Sequence, residues 1–237
     1  MKKKIKLFTF NDNEKPNKHL DNHPYLHKNF RMILCGVSGS GKTQFLYNLL
    51  FTNDFLLKMV KESHVVSFIP SADVVDELGE IAVANNLKHE DFKIYSQWDE
   101  NKCALEFDEL CKSQTNIFIY DDVSFLKNFS SPNKKNILDE IVCCGRHHNL
   151  YNIILSQRYT HLNENLRSNN CSILIFFFGL TGKEIERIYF ENFSSFMERD
   201  VFNTIIKNHL NEKYKFIIFN KKENKLFNNE FEEIIPE

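Results

Sequence analysis

The chain contains a complete G-x-x-x-x-G-K-[ST] phosphate-binding loop, made of Gly36, Val37, Ser38, Gly39, Ser40, Gly41, Lys42 and Thr43. This loop holds three of the seven glycines in the chain. Glycine lets the backbone turn tightly and point successive N–H groups at one anion. In such loops the backbone cradles nucleotide phosphates, the lysine adds a positive charge, and the hydroxyl binds Mg²⁺. The loop therefore predicts a nucleotide site.

The residues on either side of the loop support this prediction. Residues 30–35 read as a buried strand, and residues 44–50 carry apolar side chains at helical spacing. A strand, a loop and a helix in this order place the helix N-terminus against the bound anion.

Length and composition limit the class of protein. A chain of 237 residues is long enough for one α/β domain with a substantial core. A formal net charge of −2 and a pI of about 6.5 exclude a generally basic nucleic-acid coat, so any DNA contact must come from a local patch. The six cysteines have no zinc-finger spacing. The longest apolar run, residues 173–178, is too short to cross a bilayer, and no apolar signal segment follows the basic start. We expect a soluble intracellular protein without a transmembrane segment.

Short apolar runs alternate with helical patterns, which predicts an α/β fold with a mostly parallel central sheet flanked by helices. We expect an N-terminal extension at 1–28, a core at 29–222 and a C-terminal tail at 223–237. The extension reads either as an interaction arm or as an edge strand near residues 5–10. The predicted strands are 30–35, 64–69, 116–120, 150–155, 172–178 and 215–220. Helices are predicted around residues 74–82, after an N-cap at Ser131 with Pro132 following, and from a capping box at Thr181.

Two carboxylates follow the predicted strand 116–120. Asp121, at the strand tip, would hold Mg²⁺ through a coordinated water, and Asp122 would orient or deprotonate the attacking water. The alternative is a strand end followed by an ordinary polar turn, in which paired aspartates are common. The phosphate-binding loop favours the functional interpretation.

Gln157 follows the apolar strand 150–155. In an open parallel sheet the ligand lies beyond the carboxyl ends of the strands, so Gln157 is a candidate to contact the γ-phosphate or the water. The alternative is a solvent-exposed loop residue.

Arg146 is the best candidate for an arginine finger, a guanidinium inserted into the site of a neighbouring subunit. It equally fits a surface cation near the end of a helix, with Gly145 as the C-cap. Arg158 and Arg167 are the other candidate fingers.

Three motifs now stand in a fixed order. They are the phosphate-binding loop, the Tyr120-Asp121-Asp122 strand end, and the run Gly145-Arg146-His147-His148-Asn149 before a strand that ends in Ser156-Gln157. Together they resemble the genome-packaging ATPases of large DNA viruses and virophages, the poxvirus-type branch of the FtsK/HerA superfamily. The resemblance covers about residues 30–178. Asp122 stands where a glutamate is common, which shortens the reach to water.

The resemblance implies a RecA-like P-loop fold and an ATPase that uses ATP and Mg²⁺ to translocate double-stranded DNA into a preformed capsid. It further implies a homo-oligomeric ring, a pentamer or hexamer, with a capsid or portal-vertex protein as partner. The expected location is the host cytoplasm or a viral factory, with association with the virion as a further option. Lys127, Lys134 and Lys135 are candidate DNA contacts, although a solvated polar loop is the slightly favoured interpretation because the charges are few.

Three other functions compete with the motor. A small-molecule kinase shares the loop, but the chain lacks the arginine-rich lid typical of such enzymes. A GTP switch would need a glycine after Asp121-Asp122, and Asn220-Lys221-Lys222-Glu223 resembles a guanine-reading motif only superficially. A nucleotide-binding assembly protein without turnover is the third alternative.

Overall fold

The computed structural model describes residues 26–51, 54–69, 71–88, 90–110, 114–122 and 137–235. Several sequence-based expectations lie outside these ranges. They are the arm or edge strand near residues 5–10, the helix start at Ser131 and Pro132, and the basic residues Lys127, Lys134 and Lys135.

The described residues form one nine-stranded sheet in the order β3-β2-β4-β5-β1-β6-β7-β8-β9. The strands are β1 Arg31–Cys35, β2 Ser63–Phe68, β3 Phe92–Tyr95, β4 Thr115–Asp121, β5 Leu150–Ser156, β6 Ile173–Phe177, β7 Phe216–Asn220, β8 Lys225–Phe227 and β9 Glu233–Ile234. Pairing is parallel from β3 to β6 and antiparallel from β6 to β9. The prediction of an α/β fold with a mostly parallel sheet is confirmed.

The helices are α1 Lys42–Phe51, α2 Asp54–Lys61, α3 Ala72–Ala84, α4 Glu100–Asp108, α5 Ile137–Cys144, α6 Gly182–Asn192 and α7 Arg199–His209. The predicted capping box is present at α6, where the Thr181 side chain accepts from the Glu184 backbone N–H and the Glu184 side chain accepts from the Thr181 backbone N–H. Asp99 caps α4 by accepting from the N–H groups of Asn101 and Lys102. Among the described helices, none is long and apolar enough to cross a membrane.

The central strands are buried on both faces. In β1, Ile33 belongs to one apolar cluster, whereas Met32 and Leu34 belong to another on the opposite side. Because side chains alternate along a strand, this division means that the sheet separates two cores. Double burial explains why the central strands read as continuous apolar runs.

The C-terminal boundary of the core differs from the sequence-based expectation. Residues 223–237 were expected to form a tail, yet β8 and β9 lie within this range and continue the sheet beyond β7. Leu226 and Phe227 are buried, each 3% exposed. The two strands are only three and two residues long, so their periodicity is too short to read from sequence.

Gly145 is not a left-handed C-cap. Helix α5 ends at Cys144, Gly145 opens a 3₁₀ turn, and Asn149 is the residue in the left-handed conformation, with φ of 50°. A Cβ on Gly145 would lie 3.0 Å from Leu150 Cδ2. Gly145 is therefore needed for close packing against β5 rather than for its backbone angles.

Candidate nucleotide site

The phosphate-binding loop connects β1 to α1, as predicted. Gly39 and Gly41 have φ angles of 70° and 104°, which residues other than glycine rarely adopt. A Cβ on Gly36 would lie 2.6 Å from the Phe177 Cβ, so β6 also requires a glycine there. Steric constraints therefore explain why each of these three positions is a glycine.

Lys42 is buried at the start of α1, with 8% of its surface exposed. Its Nζ donates to the carbonyl oxygens of Gly36 and Val37, at 2.7 and 3.0 Å. Burial lowers the pKa of Lys42, opposed by the nearby Cys35, Asp121 and Asp122. The ammonium is thus held inside the loop, and Thr43 follows it, half-buried, in the first turn of α1.

The strand order brings the predicted carboxylates to the same edge of the sheet as the loop. Strand β5 lies between β4 and β1, with Leu155 opposite Asp121 and Ser156 opposite Cys35. Burial, followed by the negative charge of Asp122, raises the pKa of Asp121 to about 6, whereas Lys42 acts to lower it. A cation next to Asp121 would offset this increase, because it stabilises the ionised carboxylate.

Asp122 and Gln157 are in direct contact. Gln157 Nε2 donates to Asp122 Oδ2 at 2.7 Å. The Asp122 backbone has a left-handed φ of 52°, and its N–H donates to the Leu155 carbonyl at 3.1 Å, which holds Asp122 beside the end of β5. Burial raises the pKa of Asp122, whereas the Gln157 hydrogen bond, Lys42 and His161 lower it.

The second oxygen of this carboxylate is unpaired. Asp122 Oδ1 is buried, and no donor among the described residues bonds to it. A buried acceptor without a partner is costly unless a water or ligand supplies the hydrogen bond. The site thus contains an oxygen suited to bind a water molecule.

These residues fit a magnesium nucleotide. The loop N–H groups and Lys42 could hold phosphates, and the Thr43 hydroxyl and Asp121 carboxylate are the oxygen ligands that Mg²⁺ prefers. The raised pKa of Asp121 and the unpaired oxygen of Asp122 are the observations that favour a cation and a water at this edge.

The three candidate arginines lie in different places. Arg146 is exposed in the 3₁₀ turn before β5, at the opposite edge of the sheet from the loop. The seven residues of β5 separate it from Gln157 by about 20 Å at the usual rise per residue. Arg158 is exposed directly after Gln157. The chain therefore does not bring Arg146 to its own nucleotide site.

Arg167 is committed to an internal ion pair. It is 5% exposed, and its Nε and Nη2 donate to the two Glu191 carboxylate oxygens, both at 2.8 Å. Its Nη1 donates to the Leu162 carbonyl. Arg167 cannot reach a neighbouring subunit without breaking these bonds, which corrects its place among the candidate fingers.

The sequence that superficially resembled a guanine-reading motif lies far from the loop. Because β7 is antiparallel to β6, Asn220 pairs with Ile173 at the edge opposite the loop. Asn220 is fully buried, and Lys221 Nζ donates to the Ser168 carbonyl and to Asn192 Oδ1. These residues have a structural role, which argues against a GTP switch.

Two further residues lie at the site without any signal in the sequence. Lys213 and Tyr214, in the connection from α7 to β7, lie against Gly39 and Gly41 of the phosphate-binding loop. No motif marks them, and only the direction of β7 brings them to this edge.

A family model described as Poxvirus A32 protein matches residues 17–234 of the chain. The chain belongs to this family. The match confirms the resemblance to poxvirus-type packaging ATPases, and it includes β8 and β9, as does the sheet.

Relatives of this A32 family member include the DNA packaging protein OPG160 of Variola virus and that of Vaccinia virus (strain Western Reserve). Each is 31% identical over 140 residues, which are 56% of this chain and 47% of the relative. The chain thus spans about half the length of these relatives.

Solved structures share the fold of this A32 family member. The DNA-packaging ATPase B204 from Sulfolobus turreted icosahedral virus has a TM-score of 0.63 and 16% identity, covering 88% of this chain and 99% of that chain. The B204 NTPase from Sulfolobus turreted icosahedral virus 2, in complex with AMP, has a TM-score of 0.62 and 17% identity, covering 87% and 98%. At such identity the likeness concerns the fold alone, and it confirms the P-loop fold class.

Proposed function

We propose that this chain is an ATPase motor that moves double-stranded viral DNA into a preformed capsid. The observation that best supports ATP hydrolysis is the contact between Gln157 and Asp122, beside Asp121 and the phosphate-binding loop. DNA packaging is supported by membership of the A32 family and by the similarity to the DNA packaging protein OPG160 of poxviruses.

Each site residue has a distinct role in this proposal. Lys42 and the loop residues 36–43 bind the ATP phosphates, and Thr43 and Asp121 hold Mg²⁺, which supplies positive charge against the phosphate oxygens. Asp122 orients the attacking water and accepts its proton through Oδ1, the oxygen that lacks a partner. Gln157 donates to Oδ2 and so fixes the orientation of the carboxylate.

Arg146 acts in trans in this proposal. It is exposed and lies at the edge opposite its own loop, so in a closed ring of identical subunits it is free to serve a neighbour. A guanidinium beside the transferring phosphoryl group stabilises the charge that develops there. We propose a pentameric or hexameric ring, with Arg158 as the alternative finger.

The proposed partners are double-stranded DNA in the ring channel and a capsid or portal-vertex protein. The proposed location is the host cytoplasm or viral factory, with association with the virion as a further option. Lys134 and Lys135 remain candidate DNA contacts. Replacing both with alanine should lower DNA-stimulated hydrolysis and leave basal hydrolysis intact, and equal stimulation of variant and wild type would remove that role.

The decisive experiment measures the ATP hydrolysis rate with and without double-stranded DNA, together with the mass of the protein in solution. If the chain is a motor, it should form an oligomer, and DNA should stimulate its ATP hydrolysis. Lys42→Ala is the control that removes nucleotide binding. A monomer indifferent to both DNA and ATP would refute the proposal. Phosphate transfer to a small molecule would instead support the kinase, and ATP binding without turnover would support the assembly protein.

A further inference from the structure

The connection between α7 and β7 reaches the nucleotide edge of the sheet. Phe216, the first residue of β7, pairs with Phe177, the last residue of β6. The Phe178 N–H donates to the Lys215 carbonyl at 3.0 Å, which holds the connection beside the end of β6. The residues that immediately precede β7 therefore stand beside the phosphate-binding loop.

Two side chains of this connection face the loop glycines. A Cβ on Gly41 would lie 3.2 Å from Tyr214 Cδ1, and one on Gly39 would lie 4.0 Å from Lys213 Nζ. The tyrosine ring thus packs directly on the backbone that is proposed to hold phosphates. Lys213 brings a positive charge to the same loop.

Tyr214 does not belong to the core. Its side chain is 58% exposed, and its backbone has a φ of 72°, which is unusual for a bulky residue. Strained backbone at a ligand site suggests a functional reason for the position of a side chain. Lys213 Nζ lies 5.0 Å from the centroid of the Tyr214 ring, within the range of a cation–π interaction.

The order of the strands gives a direction to a bound nucleotide. Asp121, Asp122 and Gln157 lie on the β4–β5 side of the loop, whereas Tyr214 lies on the β6–β7 side. Hydrolysis places the terminal phosphate on the side of the carboxylates. The base, at the other end of the molecule, then extends toward Tyr214.

We infer that Lys213 and Tyr214 form the second wall of the nucleotide site. The exposed face of the Tyr214 ring stacks on the base of a nucleoside triphosphate, and the Lys213 ammonium binds its phosphate chain. This inference rests on the proposed ATP site and names the residues that bind the part of the nucleotide outside the loop. Stacking on one ring favours purine bases, because their face is larger. It does not distinguish one purine from another, because the ring makes no hydrogen bonds to the edge of the base.

Calorimetric titrations with ATP and with inorganic tripolyphosphate test the inference, because the second ligand has phosphates but no base. Tyr214→Asn removes the ring and keeps a residue that tolerates left-handed φ. It should weaken ATP binding about tenfold, within the range for base stacking on aromatic side chains, and change tripolyphosphate binding less than about twofold. Tyr214→Phe should retain the wild-type affinity for ATP. Lys213→Ala should weaken both ligands.

The control is Phe190→Ala, which removes a similarly exposed ring on α6, 56% exposed, and should change neither affinity. If Tyr214→Asn leaves the ATP affinity unchanged, or weakens ATP and tripolyphosphate equally, the base-stacking role is wrong while the ATP site stands. If the unaltered chain binds tripolyphosphate but gains nothing from the base of ATP, the second wall is also wrong. If it binds neither ligand, the proposed function fails, and this inference fails with it.

Discussion

Replacing Asp121 with asparagine should stabilise the nucleotide-free protein near neutral pH while removing its response to Mg²⁺. Burial and the adjacent charge of Asp122 raise the pKa of Asp121 from its ordinary 3.8 to about 6. The ionised carboxylate is therefore less stable in the folded protein than in the unfolded chain. Asparagine has nearly the same shape and carries no charge.

The magnitude follows from the two pKa values. They differ by about two pH units, and at 1.36 kcal/mol per unit the ionised group costs roughly 3 kcal/mol at neutral pH. Since Asp121 keeps some contact with solvent and its replacement brings an amide that must be hydrogen-bonded, the expected gain is on the order of 1–3 kcal/mol.

The pKa difference also fixes the direction in which the free energy of unfolding changes with pH. Between the unfolded and folded pKa values the folded protein binds more protons, so the free energy of unfolding falls as pH rises through this window. Above about pH 6 the full cost remains. The advantage of the variant should therefore be largest near pH 7.5 and fall to about one third of that value near pH 4.5.

Urea unfolding without nucleotide and in the presence of a chelator measures this difference. Asp76→Asn, at an exposed position of α3, is the matched control and should show little effect. Adding Mg²⁺ and ATP at about a hundred times the dissociation constant should stabilise the wild type by about 2.7 kcal/mol, and the variant should lose the part that depends on the metal. A variant no more stable than the wild type near neutral pH, or an advantage independent of pH, would refute the reasoning.

Three further predictions concern the proposed chemistry and its supporting structure. Asp122→Asn should reduce ATP turnover by about 10²–10⁴-fold with little change in ATP affinity; a variant with normal turnover would contradict its role as base. Arg146→Ala by itself should abolish ATP hydrolysis, whereas an equal mixture with Lys42→Ala subunits should restore about a quarter of the active interfaces. If this mixture stays inactive and a mixture of Arg158→Ala with Lys42→Ala is active instead, the finger is Arg158. Arg167→Met leaves Glu191 buried with less compensation and should lower the free energy of unfolding by about 3 kcal/mol, measured in urea, without changing the ATP affinity of the folded fraction.

The local features of the site could be predicted from the sequence because they depend on neighbouring residues. The phosphate-binding loop is contiguous from Gly36 to Thr43, and its glycines, lysine and threonine adopt their positions through the loop's own backbone. Asp121 and Gln157 could be placed at strand ends because each follows a continuous apolar run. Burial on both faces produces such runs, so the central strands were also predicted correctly.

Strands β3, β8 and β9 were missed because they are short. A run of two to four residues gives too little periodicity to separate a strand from a loop. Their place in the sheet is determined by pairing with strands that are distant in the chain, and this pairing corrected the expected tail at 223–237.

The sequence by itself determined that the chain has a phosphate-binding loop, a pair of carboxylates after one buried strand and a glutamine after another. The tertiary structure decided which residues share an edge. It brought Gln157 onto Asp122, placed Arg146 at the far edge and fixed Arg167 on Glu191. It also turned β7 so that Tyr214, rather than Asn220, lies beside the loop. An apolar run reads the same whether its strand is parallel or antiparallel, so strand direction, and with it the proposed second wall of the site, emerges only from the pairing of distant segments.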